Sequence, residues 1–102
     1  KVTVSGSRMK ITVDELLTLG SSINLIDIRD KNSYLEGHIP GAKNITSLEL
    51  LYHPDKYLNF NQTYYFYCDV GYLSEDLCMR LKMMGYHVVS VVGGYHNYLF
   101  KR

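Results

Sequence analysis

Apolar residues fall in short runs along this chain, each closed by glycine, proline or a polar cluster. Ile23 to Ile28 reads Ile-Asn-Leu-Ile-Asp-Ile. It is short, β-branched and mostly apolar, the pattern of a strand buried on both faces. Thr63 to Tyr67, Thr-Tyr-Tyr-Phe-Tyr, has the strongest strand propensity and runs straight into Cys68. Val88 to Val92 is another buried strand, stopped by Gly93-Gly94. Ile11 ends a short strand, and Lys43-Asn44-Ile45 has room for a small one.

Helical patterns lie between these runs. Thr12-Val13-Asp14-Glu15 is a capping box, followed by an apolar face of Val13, Leu16 and Leu17 and a stop at Gly20. Asp30 caps a helix that ends near Glu36, and Thr46 caps one containing Leu48, Leu50 and Leu51. His53-Pro54-Asp55 breaks the latter. The longest helix is predicted from Ser74 to Met84, with Leu77, Cys78, Leu81 and Met84 on one face and Gly85 as its stop. Residues 95–100 suit a short final helix. Strands and helices therefore alternate through short links. This predicts an α/β fold, a small, mainly parallel sheet of about five strands with helices on both faces. Residues 9–102 read as one domain. Residues 1–8, Lys-Val-Thr-Val-Ser-Gly-Ser-Arg, differ in composition and read as a disordered tag or linker.

Composition narrows the partners. The chain has 102 residues, 46% of them hydrophobic, enough for a core. Eleven Lys and Arg against 10 Asp and Glu leave a net charge of +1, which argues against nucleic-acid or polybasic membrane binding. No apolar stretch approaches the roughly 20 residues of a membrane span, and no signal-peptide pattern opens the chain. Two cysteines are too few for a disulfide framework. They suit a reducing compartment, so a cytoplasmic location is the expectation. His38, His53, His87 and His96 show no metal-ligand spacing.

The segment that suggests chemistry is Cys68-Asp69-Val70-Gly71-Tyr72-Leu73-Ser74, between the aromatic strand and the longest helix. Ligands of open α/β sheets bind beyond the carboxyl ends of the strands, where helices begin. A cysteine there faces unpaired backbone N–H groups and the positive end of the helix dipole, which favour a thiolate. Gly71 allows the loop to curl around the sulfur and form an anion cradle. The alternative is a buried, inert cysteine at a strand end. Cys78, on the apolar helix face, reads as packing. A disulfide between the two would require close approach of the sulfurs.

Two motifs resemble the rhodanese, or rhodanese-like sulfurtransferase, family. One is Leu25-Ile26-Asp27-Ile28-Arg29-Asp30 followed by Tyr34 to Ile45, with Gly37-His38-Ile39-Pro40-Gly41-Ala42 its most specific part. The other is Tyr67-Cys68 with Gly71 and Ser74, then Leu81, Gly85 and Val91-Val92-Gly93-Gly94. The resemblance covers about residues 9–100. It implies that Cys68 takes sulfane sulfur from a donor such as thiosulfate, a polysulfide or a protein persulfide. Cys68 then passes the sulfur to a thiol or to cyanide. Residues 68–73 match the family's active loop, whose backbone N–H groups hold the anion, with Ser74 closing it. Asp27 and Arg29 match a supporting acid–base pair. No metal or organic cofactor is implied, and the expected state is a monomer or weak dimer.

The loop departs from that pattern. Many active members carry Arg or Lys here, whereas the variable positions of this chain are Asp69, Val70, Tyr72 and Leu73. Asp69, Glu75 and Asp76 oppose a thiolate and an anionic donor, so weak thiosulfate activity is expected. Lys31 and Ser33 replace the family's frequent Pro and Glu, which costs the following helix a capping partner. A phosphatase on the same scaffold would need Arg six residues after the cysteine, where Ser74 stands. The remaining rival is a catalytically quiet rhodanese-fold binding or regulatory module.

Overall fold

The alternation within each strand sorts its side chains between two helical layers. The computed structural model describes residues 9–101, so the expectation for residues 1–8 lies outside it. The strands are β1 (Lys10–Ile11), β2 (Asn24–Asp27), β3 (Lys43–Asn44), β4 (Thr63–Tyr67) and β5 (His87–Val91). The helices are α1 (Val13–Thr18), α2 (Lys31–Glu36), α3 (Ser47–Tyr52), α4 (Pro54–Tyr57), α5 (Tyr72–Met83) and α6 (Gly94–Lys101). Among the described residues the strands form one five-stranded sheet in the order β1-β5-β4-β2-β3, every neighbouring pair parallel.

On one face Ile26, Tyr64, Phe66 and Val88 pack with Leu50 of α3 and Leu77, Cys78 and Leu81 of α5. On the other, Leu25, Tyr67, Val89 and Val91 pack with Val13 and Leu16 of α1 and with the partly buried Tyr95 and Tyr98 of α6. The two-residue period thus covers both faces, as the apolar strands require. The chain leaves β2 toward β3 on one side and β4 toward β5 on the other. This reversal opens a crevice beyond the carboxyl ends of β2 and β4, the usual ligand position in such sheets.

Local chemistry accounts for most element ends. Thr12 and Glu15 form the predicted capping box. Asp30 caps α2 through the Ser33 N–H at 2.9 Å, and the Ser33 hydroxyl donates back to Asp30 at 3.3 Å. The expected loss of a capping partner at α2 is therefore corrected: Ser33 supplies one. Two further expectations change. His53-Pro54 does end α3, but Pro54 also starts the short α4, where proline's fixed φ suits the first helical turn. The long helix starts at Tyr72 rather than Ser74. Gly71 takes the N-cap position in the left-handed region, φ 104°, and offers no side-chain cap.

Candidate active site

The early start of α5 brings Cys68 into contact with the helix end. Ser74 is the third residue of the helix, and its backbone N–H has no partner within the helix. In most helices a Ser, Thr or Asp oxygen at the N-cap accepts that donor. Here the Cys68 Sγ accepts it at 3.4 Å and also accepts the Gly71 N–H at 3.2 Å. The sulfur has the place of a capping oxygen, so the helix N-terminus and the thiol are one unit.

Behind the sulfur lies a buried hydroxyl pair. The Ser74 Oγ is 3.6 Å from Sγ, donates to the Gly71 carbonyl at 3.2 Å, and lies 2.7 Å from the Ser90 Oγ of β5. Ser74 and Ser90 are both buried. Sequence reasoning missed Ser90. Its signal was one polar residue inside the Val88-Val89-Ser90-Val91 run, at a position the two-residue period turns toward α5.

The loop is pinned from the far side by α6. Tyr95 N–H donates to the Cys68 carbonyl at 2.8 Å, and His96 N–H donates to the Asp69 carbonyl at 2.9 Å. Gly94 makes this approach possible. A Cβ there would lie 2.2 Å from the Cys68 carbonyl oxygen, and φ is +56°. Gly93-Gly94 therefore does more than stop the strand: Gly94 also leaves room for the Cys68 loop.

Asp27 and Arg29 form a buried clamp at the end of β2. Arg29 Nε donates to both Asp27 carboxylate oxygens at 3.0 and 3.1 Å, and Nη2 donates to Asp27 at 2.7 Å and to the Gly37 carbonyl at 2.6 Å. The guanidinium lies over the rings of Tyr95, at 4.4 Å, and Tyr67, at 5.7 Å. Burial works against its charge, but the Asp27 hydrogen bonds and charge prevail and hold Arg29 protonated well above its ordinary range. Tyr67 also ties in the first motif: its hydroxyl accepts the Ile39 N–H at 3.0 Å, and burial pushes its ionisation up.

Cys68, Arg29 and the loop line one cleft of about 540 Å³. Its remaining walls are Ile28, Asp30, Thr46, Ser47 and Leu48, together with Val70, Tyr72 and Leu73. Asp69 does line it, but its exposed carboxylate turns to Arg29 Nη1 at 3.5 Å. Glu75 and Asp76 are met by Lys10 at 3.3 Å and Arg80 at 3.0 Å. Cys78 lies on the buried face of α5, where burial pushes its thiol up to about 12. Among the described residues no three His, Cys, Asp or Glu side chains converge as a metal ion would need, and no helix is long and apolar enough to cross a membrane.

Known proteins resemble this chain in sequence and fold. The family model for the rhodanese-like domain matches residues 12–101. A tRNA sulfurtransferase of Pyrobaculum aerophilum is 37% identical over 67 residues, 66% of this chain, and the match spans 14% of that enzyme. The Bacillus subtilis protein named "Putative sulfurtransferase YtwF" is 30% identical over 96 residues, covering 92% of this chain and 84% of that protein. The solved structure of a rhodanese-like domain protein from Staphylococcus aureus superposes with a TM-score of 0.77 at 33% identity, covering 88% of this chain and 90% of that one. The match runs from the α1 cap through α6 and takes in both motifs, the Cys68 loop and the glycine pair that seats it: the chain belongs to the rhodanese-like domain family.

Proposed function

We propose that this chain is a sulfurtransferase in which Cys68 carries the sulfur. One observation carries the reading: Sγ accepts two backbone N–H groups at a helix N-terminus on the floor of an open cleft. Such donors stabilise negative charge on sulfur, both in the thiolate and in a persulfide. The sulfurtransferase names of two relatives support the same chemistry.

The Cys68 thiolate attacks the terminal sulfur of a donor R–S–SH. A new S–S bond forms, the donor's S–S bond breaks, and R–S⁻ leaves with the electron pair. Cys68 then holds the outer sulfur as –S–SH. An acceptor thiolate then attacks that outer sulfur while it still carries its proton, and the bond between the two persulfide sulfurs breaks. The acceptor leaves as a persulfide, and Cys68 returns as the thiolate. Nothing is oxidised or reduced overall.

Small or protein-bound persulfides are the preferred donors in this reading, and thiols the acceptors. Thiosulfate is a poor donor. The charged side chains lining the cleft are Arg29, Asp30 and Asp69, and Arg29 is already engaged by Asp27 and Asp69. A dianion therefore meets carboxylates and no uncommitted cation. The test is steady-state transfer from cysteine persulfide to a thiol, for the wild type, Cys68→Ala and Cys78→Ala. Transfer absent from Cys68→Ala and retained by Cys78→Ala is the expected result. Transfer by Cys68→Ala defeats the proposal. A folded wild type without transfer from any donor favours the quiet binding module.

A further inference from the structure

The rim of the Cys68 cleft is unusually apolar for solvent-exposed surface. Leu48 of α3, Val70 of the loop, and Tyr72 and Leu73 of α5 are 62%, 50%, 81% and 49% exposed, and all four line the cleft. Contiguous exposed apolar groups around a polar site mark an interaction surface. None of them is needed by the transfer step at sulfur. Tyr72 and Leu73 enter the helix through their backbone, and their side chains turn outward.

The cleft constrains what can occupy it. Its volume of about 540 Å³ lies in the range of about 300–1,000 Å³ that holds a drug-sized ligand. A lone cysteine persulfide fills a fraction of it. The sulfur itself is deep, with Cys68 only 4% exposed. An occupant must reach down to Sγ while its flanks lie along the exposed rim residues, among them Leu48 of α3 and Tyr72 of α5. The rim charge completes the pattern. Asp30 and Asp69 are the carboxylates of the cleft, and its cation, Arg29, is spent on Asp27, Asp69 and the Gly37 carbonyl.

We infer that this rim docks a segment of a partner protein that presents its sulfur-bearing cysteine between apolar and basic residues. The apolar flanks cover Leu48, Val70, Tyr72 and Leu73, and the basic side chains meet Asp30 and Asp69. The inference rests on the sulfur-transfer reading, naming the partner class for the same site.

The test uses four donors: cysteine persulfide and three persulfidated peptides of equal length with a central cysteine. The peptide flanks are Leu and Lys, Leu and Glu, or Gly and Ser. The rate of sulfur loading on Cys68 is read by intact mass, and each peptide rate is divided by the cysteine persulfide rate for the same variant. For the wild type the Leu–Lys peptide leads both others by about tenfold, and the lead shrinks in high salt as the rim charges are screened. In Leu48→Ser the ratio drops several-fold, and in Asp69→Asn the salt dependence weakens. Normal loading from cysteine persulfide with equal rates for all three peptides, or a faster Leu–Glu peptide, overturns the docking inference and leaves the sulfur-transfer reading standing. No loading from any of the four donors overturns both.

Discussion

Cys68 and Cys78 are ten residues apart and both buried, one at the start of α5 and one within it, and their surroundings could hardly differ more. Cys68 is 4% exposed and Cys78 is 1% exposed. Burial alone therefore does not distinguish them. Cys68 meets the N-terminus of α5, where two N–H groups point at its sulfur. Cys78 sits two turns into the helix, where the backbone donors are spent on the helix itself. It belongs to the core cluster that includes Leu77, Leu81 and Phe66, side chains that offer nothing to a charge. The lesson concerns supply of donors: a helix gives up its free N–H groups only in its first turn.

The supports of the Cys68 end are where the contrast breaks most severely. Arg29→Met leaves the Asp27 carboxylate buried without its partner, and a loss of about 3–5 kcal/mol is expected from urea unfolding. Next comes ionisation at the other thiol. Folding raises Cys78 from 9.0 to about 12, so the folded chain holds that proton more tightly than the unfolded one. Its contribution is complete below pH 9.0 and is lost as pH climbs toward about 12, on the order of 4 kcal/mol across the window. The unfolding free energy measured through that window should fall less steeply for Cys78→Ala than for the wild type. Cavity formation lowers the whole curve of the variant and leaves the difference in slope readable.

Smaller effects sharpen the contrast. Gly94→Ala drives a methyl group onto the Cys68 carbonyl, displacing the loop. Sulfur loading should fall about 100-fold, as it does when a reacting atom is misplaced by about 1 Å. Alkylation of Cys78 in the native protein should stay undetectable in the same variant. Ser90→Ala removes one of the two hydrogen-bond partners of the Ser74 hydroxyl and should slow alkylation and loading of Cys68 several-fold. Asp69→Asn is the mildest. Its exposed carboxylate is screened by solvent, so the rate of loading from thiosulfate should rise by about threefold.

Much of the architecture was legible because local signals agreed with each other. The aromatic run 63–67, the Thr12 capping box and the apolar face of α5 each point to the element that forms. Cys68 stood out through its position between the strand and the helix. What stayed hidden depended on contacts between distant residues. Ser74 opens the helix in the sequence pattern, yet in the structure it is the third helical residue, and its hydroxyl turns inward to the Gly71 carbonyl and Ser90. Gly94 carries no sign that Cys68, 26 positions earlier, needs the room of its missing side chain. The Asp27–Arg29 pair was visible in sequence, but its stacking on Tyr95 was not, since α6 reaches it only through the fold.

The most direct test of the account is intact mass after incubation with thiosulfate and, separately, with cysteine persulfide. The wild type, Cys68→Ala and Cys78→Ala are compared as folded proteins. The account predicts one added sulfur on the wild type and on Cys78→Ala, removed by cyanide and absent from Cys68→Ala, with cysteine persulfide the better donor. Sulfur retained by Cys68→Ala, or no sulfur on the folded wild type from either donor, would contradict it.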